Sequence, residues 1–491
     1  MREIKEMKEW KICYGTYRGA EKQAVNLMSA LMEQYTGRVP SVMAAASVSE
    51  ECPMENVVVL GTPEDNPWVK RHCENPCNGH KEGYVIDIRS TEAGNTLMIA
   101  GNTGAGVLYG AADLIAKYLP EKAITSEKAP NLNSPGMFST PFCQPMPEFH
   151  RESAPAFRQR GIWTWGHCIF DYRKFFRNMS LLKLNEIVLW NDFLPVNAAE
   201  VVEYAHSLGI RVIWGFAWGW DVDCKSFCIR DAFDPEKVHA FGQKILAYLQ
   251  KEILPSGADG IYFQSFTELT TDTLDGVNIA QAVTAWVNGV AAEIYAEYPE
   301  MEIQFGLHAS SVKEHLDYIK EVDKRIQIIW EDCGAFPYAY SPEAIENDEE
   351  TQALTKEITV LRGPDEAFGA VLKGMTTLYW PEFQHLKGAF VLGESTEKTV
   401  DAVAAERTAS WKYFQAKWMK NAEYFRKTAA LIADATQGKA NMQMLVEFGA
   451  FEKQIPFPAA FAAEAFWSPE LSSEELKEMV ALSPFVKFSN L

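Results

Sequence analysis

Short apolar runs in this chain repeatedly end on side chains that can do chemistry. The clearest is Asp259-Gly260-Ile261-Tyr262-Phe263-Gln264-Ser265-Phe266-Thr267-Glu268, an apolar run with an amide partway along and a glutamate at its close. Other runs end on Trp163, Trp165 and His167, on Trp190, Asn191 and Asp192, on Trp214, Trp218, Trp220 and Asp221, on His308, on Trp330, Glu331 and Asp332, and on Tyr379, Trp380, Glu382 and His385. Flat aromatic faces stack on the C–H faces of sugar rings, while Asn, Gln, His and Asp hydrogen-bond hydroxyls. Cleaving a glycosidic bond needs one carboxyl group held protonated to release the leaving oxygen and a second to activate water or attack the anomeric carbon. Burial beside Phe266 would raise the pKa of a glutamate, which assigns the acid role to Glu268. Glu331, Asp332 and Glu382 compete for the second role. Glu331 and Asp332 are adjacent, so on a strand they point to opposite sides and only one enters a pocket directly. Trp163, His167, Trp190, Asn191, Trp218, Gln264, His308, Trp330, Tyr379 and Trp380 are the expected substrate-binding residues.

The elements that would position these residues are strands alternating with helices. Residues 159–165, 186–190, 211–216, 260–266, 303–307 and 326–330 read as strands, separated by helical stretches such as 171–182 and 235–250. Their runs of Ile, Val, Trp and Phe lack strict polar alternation and suit parallel strands covered on both faces. Six such units with room for two more, placed at 375–380 and 388–392, predict a (β/α)8 TIM barrel over residues 157–395, whose chemistry sits at the C-terminal ends of the strands. Residues 1–128 alternate short strands (57–60, 83–88, 96–100) with helices (21–35, 107–118), the pattern of a small α/β domain. Residues 129–156 carry Pro130, Pro135, Pro141, Pro145, Pro147 and Pro155 with little periodicity and read as a linker. Residues 396–491 have helical period, with Trp411, Phe414, Trp418 and Phe425 on a recurring face, and predict a helical extension packed on the barrel.

Composition excludes other classes of function. The chain of 491 residues carries a formal net charge of -20, which disfavours nucleic acid and anionic membrane surfaces. The charged N-terminal stretch lacks an apolar signal segment and no run is long enough to span a membrane, so a cytoplasmic location is expected. Nine cysteines are an odd number that cannot pair completely, and reduced thiols are expected. Cys73-x3-Cys77 and Cys224-x3-Cys228 lack partners at zinc-site spacing, and the histidines are dispersed with no His-x-His pair; neither metal nor cofactor is expected. Gly104-Ala105-Gly106-Val107-Leu108-Tyr109-Gly110 follows a strand and opens a helix, but its GxGxxxG spacing and the missing acidic residue favour close helix–strand packing over a dinucleotide site.

Three segments together carry a resemblance. Gly101-Asn102-Thr103-Gly104-Ala105-Gly106-Val107-Leu108-Tyr109-Gly110-Ala111-Ala112 in the small domain, Arg160-Gly161-Ile162-Trp163 opening the barrel, and Lys183-Leu184-Asn185 before its second strand resemble the architecture shared by β-N-acetylhexosaminidases and xylan α-glucuronidases, over residues 10–400. The resemblance implies an exo-acting glycoside hydrolase. Hexosaminidases that use the substrate's acetamido group carry an Asp-Glu pair at strand four, where this chain has Thr267-Glu268, so acetamido assistance is not expected. The α-glucuronidase pattern, an acid at strand four and base carboxylates after strands six and seven, matches Glu268, Asp332 and Glu382 by order. Trp380-Pro381-Glu382 also resembles the Trp-x-Glu with which hexosaminidases hold sugar hydroxyls, which would make Glu382 a binding residue. The expected partner is a small oligosaccharide or glycoside, with homodimerisation left open. A non-catalytic carbohydrate-binding protein on a hydrolase scaffold is the alternative class.

Overall fold

The computed structural model describes residues 9–48, 55–90, 94–119, 142, 146, 148–165, 169–190, 193–218, 228–269, 271–308, 311–331, 348–363, 367–372, 388–446 and 449–486. In the N-terminal domain, β1 (Lys11–Tyr14), β2 (Ser41–Ala44), β3 (Val57–Gly61), β4 (Tyr84–Ser90), β5 (Asn95–Gly101) and β6 (Phe149–Ser153) form one sheet in the order β2-β1-β3-β5-β4-β6. The stretch expected to be only a linker thus supplies β6, an antiparallel neighbour of β4. Helices α1 (Gly19–Thr36), α2 (Pro67–His72) and α3 (Gly104–Asp113) connect the strands. The glycine run at α3 serves packing: a Cβ on Gly106 would stand 2.6 Å from the Gly83 carbonyl oxygen, and one on Gly110 would stand 2.6 Å from Ile99 Cγ2. Only glycine lets the helix lie this close to the sheet.

Eight parallel strands close the barrel: β7 (Gln159–Trp165), β8 (Glu186–Trp190), β9 (Arg211–Ala217), β10 (Gly260–Gln264), β11 (Glu302–Leu307), β12 (Gln327–Trp330), β13 (Phe368–Leu372) and β14 (Asn441–Met444). The last two differ from expectation. The seventh strand precedes residues 375–380, which lie outside the described residues. The eighth lies at Asn441–Met444 rather than at 388–392, after the helices Glu397–Lys420 and Ala422–Thr436. The barrel therefore extends past residue 395, and part of the expected helical extension is its final α/β unit.

Alternation sorts the strand residues into two cores. Trp163, Val188, Trp190, Ile213, Tyr262, Ile329, Val371 and Leu445 fill the barrel interior. Their chain neighbours Ile162, Leu189, Trp214, Phe263, Trp330 and Leu372 face the helix layer. The segments that carry the family resemblance clamp the domains together. Arg160 donates to Glu82 (2.8 Å) in the N-terminal domain, and Asn185 donates to the same carboxylate (3.0 Å). Lys183, in a left-handed turn with φ 59°, is buried between Asp113 (2.8 Å) and Glu464 of the C-terminal helix Phe457–Trp467 (2.7 Å). Lys117 bonds the same two acids. A buried lysine between two carboxylates is tolerated because each charge is paired.

Candidate active site

At the C-terminal end of the barrel, four inward side chains converge. Glu331 follows β12, and alternation from Ile329 turns it into the barrel while Trp330 turns out. Its carboxylate is fully buried. Oε1 accepts from the Tyr262 hydroxyl and from Gln264 Nε2 at 2.5 Å. His308 Nε2 lies 3.3 Å from Oε2 and 3.4 Å from Gln264 Nε2. Burial, and then the Glu331 carboxylate, push the Tyr262 hydroxyl well above its ordinary value of 10, so it stays protonated and can donate. Trp163 and Trp190 meet the Tyr262 ring edge-on at 6.0 and 5.9 Å. Gly306, between these groups, is required for space, since a Cβ there would collide with both the Tyr262 oxygen and Glu331 Oε1.

Glu268 stands outside this cluster. Thr267 is fully buried; its Oγ1 accepts from the His308 amide (3.3 Å) and its carbonyl oxygen accepts from Ser311 Oγ (2.6 Å), which ties the turn after β10 to the segment after β11. One residue later Glu268 is exposed. The burial beside Phe266 from which its acid role was argued is absent, because Phe266 turns into the outer core while Glu268 leaves the turn toward solvent.

Two expected sugar platforms are corrected in the same way. Trp330 belongs to the outer core and donates through Nε1 to Thr355 Oγ1 on the helix Asp348–Thr359 (3.1 Å). Trp218 is fully buried and stacks flat on Phe263 at 3.7 Å and 8°. Both are covered by protein and present no face to a sugar. Trp163 and Trp190 do line the interior but are buried against Tyr262. Gln264 and His308 join Glu331. Asp332, Glu382, His167, Asn191, Tyr379 and Trp380 lie outside the described residues.

Tyr262 and Gly306 were missed in the sequence, although a step of two links each to a chosen residue on its strand, Tyr262 to Gln264 and Gly306 to His308. Glu452, shortly after β14, was also missed. Its buried carboxyl is pushed up to about 7 by burial and accepts from the Phe170 amide beyond β7 at 2.6 Å. Among the described residues no group of three or more His, Cys, Asp or Glu could hold a metal ion. No helix among them is long and apolar enough to cross a membrane.

A small α/β domain is clamped to a closed eight-stranded barrel with polar side chains gathered at the C-terminal strand ends, the end where barrels of this kind carry their sites. Residues 20–114 match the family described as Glycosyl hydrolase family 67 N-terminus. No curated protein matches the chain by sequence. Among solved structures, a GH138 enzyme targeting pectin rhamnogalacturonan II aligns at 12% identity and TM-score 0.48, over 96% of this chain and 54% of that one. This chain thus spans about half the length of that enzyme. A mutant Streptomyces plicatus β-hexosaminidase in complex with its product GlcNAc aligns at 12% identity and TM-score 0.49, over 98% of this chain and 93% of that one.

Proposed function

We propose that the protein is an exo-acting glycoside hydrolase that trims terminal sugars from short oligosaccharides with paired carboxylates and without acetamido assistance. The observation that carries this reading is the cluster of Glu331, Tyr262, Gln264 and His308 inside the C-terminal end of a barrel that follows a match to the family 67 N-terminus. Glu268, exposed on an anchored turn at that end, faces solvent and is assigned the general acid. Glu331 is enclosed and committed to Tyr262 and Gln264, which suits a carboxylate that shapes the floor of the site. The second catalytic carboxylate is therefore drawn from Asp332 and Glu382. Free thiols at Cys13, Cys73, Cys77 and Cys228 suit a reducing, cytoplasmic setting.

The exposure of Glu268 favours one rival, a sugar-binding protein without turnover, because a catalytic acid works in a site closed to water and this carboxyl faces solvent. A panel of nitrophenyl glycosides that includes uronides and N-acetylhexosaminides, run beside calorimetric binding, separates the two. Release of nitrophenol from one glycoside supports the hydrolase and names its sugar; binding without release across the panel establishes the rival.

A further inference from the structure

The opposite end of the barrel holds a second feature, a cleft of about 1340 Å³ between the N-terminal face of the barrel and the N-terminal domain. Its domain wall is made by the turns after β1, β3 and β5, and Gln159, Arg211 and Gln327 of the barrel face it. In the sheet order β2-β1-β3-β5-β4-β6, α1 carries the chain from β1 outward to β2, while β3 pairs on the other side of β1. The gap between β1 and β3 is thus the switch point of the parallel strands, and crevices at the C-terminal ends of such strands are where open α/β sheets take ligands.

The charge of this cleft runs against that of the chain. Arg18, Lys81 and Arg158 line it, are exposed, and make no ion pair or side-chain hydrogen bond among the described residues. Two of the acids in its wall are paired with arginines, Glu82 with Arg160 and Glu302 with Arg211, while Asp65 accepts from the Thr62 amide (2.8 Å). Burial, with help from Asp65, pushes Glu21 up to about 8, so it is largely uncharged at neutral pH. Glu64 and Asp65 remain without a cationic partner among the described residues, against three cations. Gly19 and Ala20 at the start of α1, and Gly104 and Ala105 at the start of α3, also line the cleft, adding amide donors and two positive dipole ends on the same side. Gln159, Gln327 and Gln437 also line the cleft and give its barrel side a floor of side-chain amides.

We propose that this cleft binds a phosphorylated sugar, with its phosphate among Arg18, Lys81 and Arg158 and its hydroxyls toward the amide-rich floor. The inference does not depend on the hydrolase reading, and its test needs no turnover. Calorimetry on the full chain would compare glucose 6-phosphate, inorganic phosphate and glucose, for the natural protein and for a K81E/R158E variant whose reversed charges lie on exposed side chains. The expected result is binding of glucose 6-phosphate, weaker binding of inorganic phosphate, none of glucose, and at least about a tenfold loss of glucose 6-phosphate affinity in the variant at an unchanged melting temperature. Absence of binding by glucose 6-phosphate, or equal affinity in the variant, overturns the site. Equal affinity for inorganic phosphate and glucose 6-phosphate overturns the assignment of a sugar.

Discussion

At the N-terminal end of the barrel, Glu186 is buried in a ring that closes on itself: it accepts from Arg211 (2.7 Å), Asn441 (2.6 Å), Gln443 (2.9 Å), Gln304 (3.1 Å) and Gln159 (3.1 Å). At the C-terminal end, Glu331 is just as buried, but its described partners are a hydroxyl, an amide and a titratable imidazole, and the exposed Glu268 stands on a turn tied to the same strands. A cation with several amides fixes a carboxyl group in one place and stiffens the closure of the barrel. A hydroxyl, an amide and a histidine also orient a carboxylate, with no arginine or lysine among its described partners. The contrast fits a barrel in which the N-terminal end supports stability and the C-terminal end supports chemistry.

The largest effect expected from this division is on stability at the N-terminal end. Lys183→Met leaves Asp113 and Glu464 buried with only Lys117 between them, and should lower unfolding free energy by about 3–5 kcal/mol in denaturant titration, with activity per folded molecule unchanged. A proportional loss of specific activity would break the division. Next is the C-terminal end. Tyr262→Phe removes one donor to the Glu331 carboxylate and should reduce kcat by about tenfold or more, the worth of a hydrogen bond to a charged group, while costing about 1 kcal/mol of stability. The smallest effect is on pH dependence. Burial and the nearby Glu302 push Glu186 from its ordinary value of 4.5 to about 7, so between these values the folded state binds its proton more tightly than the unfolded chain does. Its contribution to stability therefore falls as pH rises through that window and is flat above it. Glu186→Gln should make the decline of melting temperature between about pH 5 and 7 shallower, and an unchanged slope would count against the shifted pKa.

The first six barrel strands and the glycine packing of α3 were legible in the sequence because apolar runs bounded by turns carry their own signal. β13 and β14 were not, for a reason visible in the ring around Glu186. β14 reads Asn-Met-Gln-Met because its inward positions, Asn441 and Gln443, serve a carboxylate rather than an apolar core, and Gly369 and Ala370 dilute the signal of β13. The site was legible by residue type and misread by parity. Tryptophans at strand ends suggested sugar platforms, but Trp330 sits on the outward step and Trp218 packs on the outward Phe263, while Tyr262, which looked like ordinary strand filling, points in. Glu268 was found by its place at a strand end. Its exposure was not readable, since it depends on how Ser311 and the His308 amide fix Thr267 one residue earlier.

Those considerations make Glu268 the point at which the account is most directly tested. The measurement is kcat/KM of Glu268→Gln on two glycosides of the same sugar, one with a nitrophenyl leaving group and one with an unactivated alcohol. A general acid matters most where the leaving oxygen needs its proton, so the account predicts a fall of about a hundredfold or more on the unactivated glycoside and a much smaller one on the nitrophenyl glycoside. Near-normal turnover of both substrates by a folded variant would contradict it.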